Sequence, residues 1–174
     1  LQKAIDLTET GFRRALGFIK PGVGEGEIEA EYLHEFVSKR SKGFAYPPIV
    51  GSGKNACVLH YVDNNETCSD GEMVLMDVGA EWANWNADMT RTVPVNGRFT
   101  ERQRDVYNSV LSVQRGSMDF LRPGVTQQEW RDYTIELMEA ELIRLGLIDA
   151  DDAKEQDPND RHLVKKYYMH GIGH

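Results

Sequence analysis

The sequence contains one pair of similar segments, and this pair constrains the fold more than any other feature. FIKPGVGEGEIEAEYLHEF (18–36) and FLRPGVTQQEWRDYTIELM (120–138) each run from an apolar helix end through basic-Pro-Gly-Val into an amphipathic helix. A glutamate, Glu27 or Glu129, follows six residues after the proline, and the offset is 102 residues throughout. Solenoid repeats recur every 20–50 residues or so. A single distant pair instead predicts a duplicated half-domain with pseudo-two-fold symmetry.

Hydrophobic periodicity predicts an α+β fold in which each half contains two helices followed by strands. Helices are predicted at 1–19, 24–41, 101–121 and 126–146, an extended segment at 49–53, and an antiparallel pair of strands at 72–82 and 86–97. The acidic stretch 149–160 predicts a loop, and 163–174 predicts the beginning of a second set of strands. We therefore expect a single domain with halves of about 1–100 and 101–174, the second half being incomplete.

The composition excludes several classes of partner. The 20 basic and 28 acidic residues give a net charge of −8 and are interspersed, so no surface for nucleic acid or anionic membrane is expected. Neither a membrane span of about 20 apolar residues nor a leader sequence is evident. Cys57 and Cys68 are too few for a disulfide framework and are predicted to be reduced thiols. These features predict a soluble cytoplasmic protein with a small or peptidic partner.

Two aspartates are placed where a metal ion would explain them. Asp77 interrupts the apolar run EMVLMDVGAEW, where an ionised carboxylate needs a partner or a cation. Asp88 follows eleven residues later, so an antiparallel hairpin can bring both carboxylates face to face, where they repel unless they share a proton or a metal. His170 and His174, four residues apart, share one face of the chain. Oxygen-rich ligation with one imidazole favours Mn²⁺ and related divalent ions.

Each of these residues also has an ordinary interpretation when it is taken alone. An aspartate at a strand edge is usually a turn or solvent residue, His60 in NACVLHYVDN is compatible with a partly buried structural histidine, and the terminal HGIGH is compatible with a flexible tail. Trp82 and Trp85, between the two aspartates, are interpreted as residues of the hairpin turn rather than of a site.

Together the motifs resemble those of a known family. LMDVGAEWANWNADMTRTVPVNG (75–97) resembles the metal-binding hairpin of the Xaa-Pro aminopeptidases and prolidases, which share the pita-bread fold with methionine aminopeptidases. VLHY (58–61) is similar to the segment whose histidine lines the substrate pocket of that family. HGIGH (170–174) is similar to its histidine segment. The resemblance extends over the whole chain, from about residue 1 to residue 174.

The resemblance implies a curved antiparallel sheet and a dinuclear metal site. By the family pattern, Asp77, Asp88 and His174 are metal ligands, and His60 and His170 are catalytic histidines on the substrate side. The cofactors implied are two divalent ions, Mn²⁺ first and Zn²⁺ or Co²⁺ as alternatives. Thr90 is the candidate partner that orients Asp88 from the same strand face. The substrate is a peptide, and the full-length protein is a possible homo-oligomer.

The function implied is removal of the N-terminal residue from peptides, of the Xaa-Pro class, by two-metal activation of water. The alternatives are an Xaa-Pro dipeptidase and a non-catalytic pita-bread module that binds peptides or proteins. The two aspartates favour an enzyme and also disfavour metal-free amidinohydrolysis on the same fold. The family uses two further glutamates and a pocket histidine after the histidine segment. We therefore expect the 174-residue chain to be C-terminally incomplete and inactive by itself.

Overall fold

The computed structural model describes residues 1–157 and 160–173, which form two compact units. The first unit is Leu1–Phe99, and the second begins at Thr100. The α-helices are α1 (Gln2–Phe18), α2 (Glu25–Ser38), α3 (Glu101–Phe120), α4 (Gln127–Arg144), α5 (Ala150–Glu155) and α6 (His162–Lys165). The strands are β1 (Gly43–Phe44), β2 (Ile49–Ser52), β3 (Met73–Val78), β4 (Ala80–Trp82), β5 (Trp85–Asn86) and β6 (Met89–Pro94). That both halves belong to one domain stays a prediction.

Helices α1 and α2 pack closely because α1 has a glycine at their contact. A Cβ atom on Gly11 would lie 2.8 Å from Phe36 Cε1 and 2.9 Å from Tyr32 Cδ1, closer than side-chain carbons approach. Phe36 and Tyr32 are fully buried. The aromatic face of α2 therefore fits against α1 only where α1 has no side chain.

The repeated glutamates have the same structural role in both units. Gly24 N–H donates to Glu27 Oε2 at 2.7 Å at the start of α2, and Thr126 N–H donates to Glu129 Oε2 at 2.8 Å at the start of α4. Each glutamate satisfies a backbone donor that the first helical turn leaves without a partner. The repeat seen in the sequence is thus confirmed at the level of the helix caps.

The strands of the first unit form two small antiparallel sheets. One has the order β2-β3-β6 and the other β1-β4-β5. Val74, Met76 and Val78 of β3 are buried, and because side chains alternate across a strand, Asp77 lies on the opposite face. The core on the buried face includes α2 and β2 residues as well as β3.

The predicted antiparallel pair is confirmed, but each of its strands is divided between the two sheets. In the first sheet Asp77 pairs with Thr90, and in the second sheet Trp82 pairs with Trp85. Ala83 and Asn84 connect the tryptophans with φ of 51° and 67°, as a tight hairpin turn requires. The interpretation of both tryptophans as hairpin-turn residues is confirmed.

Helices α3 and α4 of the second unit are joined by hydrogen bonds between side chains. Ser117 Oγ lies 2.7 Å from Thr134 Oγ1, and Trp130 Nε1 donates to Ser117 Oγ at 2.7 Å and to its carbonyl oxygen at 3.0 Å. Ser117 and Thr134 are buried, so this small network satisfies polar groups that water does not reach.

Two predictions for the second unit are wrong. Residues 150–155 of the acidic stretch form α5, because the Asp149 side chain accepts from the N–H groups of Asp151 and Asp152 and caps the helix. The segment predicted to begin the second set of strands instead contains α6 and has no strand in its described part, 163–173. Val164 packs in a cluster with Leu142 and Ile148, which a helical turn allows without a neighbouring strand.

In residues 1–157 and 160–173, no helix is both long enough and apolar enough to cross a membrane.

Candidate active site

Asp77 and Asp88 meet at the hydroxyl group of Tyr46. The Tyr46 hydroxyl lies 2.6 Å from Asp77 Oδ1 and 3.1 Å from Asp88 Oδ1. Asp77 is half-buried at the end of β3, and Asp88 is exposed immediately before β6. The hairpin therefore brings together the two carboxylates that the sequence selected.

Gly79, the residue between β3 and β4, allows Asp77 and Asp88 to come together. A Cβ atom on Gly79 would lie 1.7 Å from the carbonyl oxygen of Ala87, which is a direct overlap, and 3.1 Å from Tyr46 Cε1. Gly79 follows Asp77 by two residues, and Ala87 immediately precedes Asp88. Because only glycine permits this approach, the backbone at residue 79 sets how close the two aspartates can come.

Tyr46 keeps its proton in this position. Its burial raises the pKa of the phenol, and the hydrogen bond to Asp77 together with the negative charges of Asp77 and Asp88 raises it further. The hydroxyl has one proton to donate, and the shorter contact directs it toward Asp77. Tyr46 thus orients the carboxylate that interrupts the apolar strand.

The two carboxylates fit part of a divalent metal site. Carboxylate oxygens are the donors that Mn²⁺ and similar ions prefer, and a cation would offset the repulsion between two neighbouring carboxylates. Such ions take about six ligands. Within the described residues, no group of three or more His, Cys, Asp or Glu side chains could hold a metal. Asp77 and Asp88 would therefore need further ligands, and His174, the third predicted ligand, lies outside the described residues.

Thr90 lies directly opposite Asp77 in the β3–β6 ladder and two residues after Asp88. It is exposed, on the strand that continues from Asp88. Its place beside both aspartates is compatible with the predicted orienting role, which stays a prediction.

His60 lies in what we call the histidine loop, residues 53–66, which follows β2. The loop begins with a 3₁₀-helix, Gly53–Cys57, and His60 follows it in a turn with φ of 56°. Its side chain is exposed and belongs to no metal-holding group among residues 1–157 and 160–173. The catalytic role of His60 stays a prediction.

A buried carboxylate that sequence reasoning missed binds the histidine loop. Glu25, at the first position of α2, is 0% exposed. Its oxygens accept hydrogen bonds from Ser52, Tyr61 and Glu66 N–H. Burial raises the pKa of this carboxyl group, but the hydrogen bonds from Ser52, Tyr61 and Glu66 outweigh burial and leave the pKa below its usual range. Glu25 is therefore ionised at neutral pH.

His170 lies in the second unit and is exposed. Its Nδ1 atom lies 2.8 Å from the Gly171 carbonyl oxygen, and its ring centroid lies 5.0 Å from that of Tyr168. Both side chains line a cavity of about 540 Å³ together with polar residues of α4 such as Arg131 and Asp132. The role of His170 in catalysis also stays a prediction.

The family model for metallopeptidase family M24 matches residues 1–174. The chain belongs to metallopeptidase family M24. It is similar to the Xaa-Pro aminopeptidase of Haemophilus influenzae, with 38% identity over all of this chain and 40% of that enzyme. The Xaa-Pro aminopeptidase of Escherichia coli is 36% identical over all of this chain and 39% of its own length. The chain thus spans about 40% of the length of these relatives.

Solved structures of M24 relatives have the same fold as this chain. Zinc-substituted E. coli aminopeptidase P in complex with product superposes with a TM-score of 0.87 at 34% identity, over 99% of this chain and 38% of that structure. Proline aminopeptidase P II of Yersinia pestis also gives a TM-score of 0.87, at 35% identity, over 99% of this chain and 39% of its own. The predicted α+β pita-bread fold is confirmed, and membership of a metallopeptidase family makes divalent metal ions the expected cofactor.

Proposed function

We propose that the natural full-length protein containing this chain is a metal-dependent aminopeptidase that removes the first residue from peptides with proline at the second position. The convergence of Asp77 and Asp88 on the Tyr46 hydroxyl is the observation that carries the proposal. The H. influenzae and E. coli relatives are Xaa-Pro aminopeptidases, which supports the substrate class.

In this proposal Asp77, Asp88 and His174 hold two divalent ions. The chemistry that such ions would supply is a lowered pKa of a water molecule and polarisation of the scissile carbonyl. Mn²⁺ is the proposed metal because carboxylate oxygens dominate the predicted ligands, with Zn²⁺ or Co²⁺ as alternatives. Zinc is the metal substituted into the E. coli relative of known structure.

The remaining residues orient groups and stabilise charge. Tyr46 donates a hydrogen bond to Asp77 and fixes the direction of that carboxylate. Thr90, two residues after Asp88, orients the Asp88 carboxylate. His60 and His170 donate hydrogen bonds to charge that develops on the substrate. We also propose a cytoplasmic location, the compartment in which the reduced thiols predicted for Cys57 and Cys68 would be maintained.

The test is the rate of hydrolysis of matched tripeptides by the natural full-length protein supplied with Mn²⁺. We expect release of the first residue from a peptide with proline at position two and much slower release when alanine replaces that proline. Equal rates would refute the proline preference. Hydrolysis of Xaa-Pro dipeptides alone would instead favour the dipeptidase, and binding without hydrolysis would favour the non-catalytic module.

Variants of the aspartates separate a metal role from a general effect of charge. Asp77→Asn and Asp88→Asn are each expected to lose activity together with bound metal, because an amide is a weaker metal ligand than a carboxylate. Asp70→Asn is the matched control, since Asp70 is exposed and accepts a hydrogen bond from the exposed Asn96 side chain at 2.7 Å. Equal losses in all three variants would contradict the proposed role of the pair.

A further inference from the structure

We propose that Glu25 is a positioning residue for the histidine loop and that it affects the reaction through His60. The inference rests on the proposed function, because it concerns the same active site. Glu25 lies in α2, outside both the metal-binding hairpin and the histidine segment.

Every hydrogen bond of the Glu25 carboxylate described here goes to the histidine loop or to the residue that precedes it. Oε1 accepts from Ser52 N–H at 2.6 Å, from Ser52 Oγ at 2.8 Å and from Asn55 Nδ2 at 3.4 Å. Oε2 accepts from Tyr61 Oη at 2.7 Å and from Glu66 N–H at 3.0 Å. One carboxylate thus binds the beginning, the middle and the end of the loop.

The backbone of Glu25 strengthens this attachment. Its N–H group donates to the Glu66 carbonyl oxygen at 2.9 Å, so the same residue binds Glu66 through both its main chain and its side chain. Glu25 also occupies the first turn of α2, where the helix dipole favours a negative charge. The position of the carboxylate is therefore fixed by the helix, and the loop takes its position from the helix.

Packing against the described residues of this chain contributes little to the part of the loop that contains His60. Val58 and Leu59 are 53% and 64% exposed, and His60 is exposed with a left-handed backbone that a non-glycine residue adopts at some cost. Tyr61, the residue next to His60, donates a hydrogen bond from its hydroxyl group to Glu25. The bond from Tyr61 to Glu25 is consequently the direct link between the buried anchor and the predicted catalytic histidine.

A second anchor acts at the end of the loop and leaves the central turn to Glu25. Buried Asn64 accepts from Val50 N–H at 2.9 Å and donates to Glu29 Oε2 at 2.8 Å and to the Pro48 carbonyl oxygen at 3.0 Å. These contacts hold the chain at residue 64 against β2 and α2. Loss of the Glu25 carboxylate should therefore release residues 58–62 without detaching the end of the loop.

The decisive variant is Glu25→Gln in the natural full-length protein supplied with Mn²⁺. Glutamine has nearly the same shape, but one of its terminal groups is an NH₂ donor. This group must face either Ser52 N–H or Glu66 N–H, so one of these two donors loses its acceptor. Glu27→Gln is the matched control, because Glu27 lies in the same helical turn and binds the Gly24 N–H in the cap instead of the loop. We expect Glu25→Gln to lower kcat/KM for an Xaa-Pro tripeptide by roughly 10- to 100-fold, as displacement of a catalytic group does.

A double-mutant cycle with His60→Ala shows whether the effect passes through the histidine. In the His60→Ala background, Glu25→Gln should lower kcat/KM by less than about twofold, because two residues acting through one step are not additive. Hydrogen exchange should accelerate more at residues 58–62 than in α1, where only the loss of global stability contributes. Multiplicative losses, or equal acceleration at residues 58–62 and in α1, would overturn the inference.

The same experiment separates this inference from the proposed function. Absence of Xaa-Pro hydrolysis by the metal-loaded wild type would refute the proposed function and, with it, a role of Glu25 in the reaction. Hydrolysis by the wild type with Glu25→Gln no slower than Glu27→Gln would refute the inference alone.

Discussion

Positions 25 and 127 are related by the 102-residue offset of the repeat, yet Glu25 is fully buried and Gln127 is exposed. Two residues later both repeats have a glutamate, and both glutamates cap their helices in the same way. The cap depends on a few neighbouring residues, so it is the same in both repeats. The buried carboxylate depends on contacts with the histidine loop and β2. Of the two equivalent positions, position 25 has such a carboxylate and position 127 does not.

The helix pair α1–α2 and the helix pair α3–α4 also differ in how they pack. Tyr32 of α2 is fully buried in the apolar core, where its hydroxyl donates to Met76 Sδ at 3.6 Å. Thr134 at the equivalent position of α4 is instead hydrogen-bonded to Ser117 of α3. Ala15 and Ser117 are also related by the offset. The repeated pattern therefore specifies two packed helices but leaves open whether apolar contacts or hydrogen bonds join them.

The largest predicted effect distinguishes the two helix pairs by packing. Phe36→Ala should lower the free energy of unfolding by about 3–5 kcal/mol, because Phe36 is fully buried. Met138→Ala at the equivalent position of α4 should cost about 2 kcal/mol, the lower end of the range for such changes, because Met138 is partly buried. Urea unfolding followed by circular dichroism measures both losses, and a larger loss at Met138 would contradict the comparison.

The second prediction concerns positions 25 and 127. Glu25→Gln should destabilise the protein by about 2–3 kcal/mol, since it leaves buried donors without a charged acceptor. Gln127→Ala should change the stability by no more than about 0.5 kcal/mol, as surface substitutions do. Similar changes at both positions, measured by urea unfolding, would refute the distinction between a buried anchor and a solvent-exposed residue.

The contribution of Glu25 should also depend on pH. Its pKa is lower in the folded protein than its ordinary value of 4.5, so the stabilisation is complete above pH 4.5 and is lost as the pH falls toward the folded pKa. The difference in unfolding free energy between wild type and Glu25→Gln should be constant between about pH 7 and pH 5 and should shrink below pH 4.5. A difference that grows in acid would contradict the sign of this shift.

A smaller loss of stability is expected when Ser117 of α3 is replaced by the residue found at the equivalent position of α1. Ser117→Ala introduces the residue found at position 15 and removes one buried hydroxyl group. Trp130 Nε1 still donates to the Ser117 carbonyl oxygen, so the cost should be about 1 kcal/mol. A loss as large as that of Phe36→Ala would show that the polar network supports more of α3 and α4 than its hydrogen bonds account for.

The smallest effect is expected at the helix caps. Thr126 and Gly24 are equivalent N-cap residues of α4 and α2. Thr126→Gly should cost a few tenths of a kcal/mol and Thr126→Ala about 1 kcal/mol, because glycine is tolerated at an N-cap better than alanine. Thermal unfolding of both variants measures the difference, and the reverse order would contradict the equivalence of the caps.

The features that the sequence predicted correctly are local or regularly spaced. Helical periodicity located the four long helices, and the spacing of Asp77 and Asp88 predicted that a hairpin would bring them together. Tyr46 and Glu25 were missed because their partners lie 27 to 42 residues away in the sequence, and no short pattern connects them. A tyrosine before two prolines and a glutamate in a first helical turn both have ordinary local interpretations.

The two wrong predictions have different physical causes. Aspartates are common in loops and are also good N-caps, so the acidic stretch is compatible with both a loop and the short helix that Asp149 begins. The segment containing Val164 was predicted as a strand from symmetry with the first half. Its burial against Leu142 and Ile148 outweighs that symmetry.

The most direct test of the central claim is the number of Mn²⁺ ions that the natural full-length protein binds, measured by titration calorimetry. If Asp77 and Asp88 hold the metal, the wild type should bind about two ions per chain, and both Asp77→Asn and Asp88→Asn should lose at least one. Asp70→Asn should bind as the wild type does. Unchanged stoichiometry and affinity in the Asp77 and Asp88 variants would contradict the claim that this hairpin holds the metal.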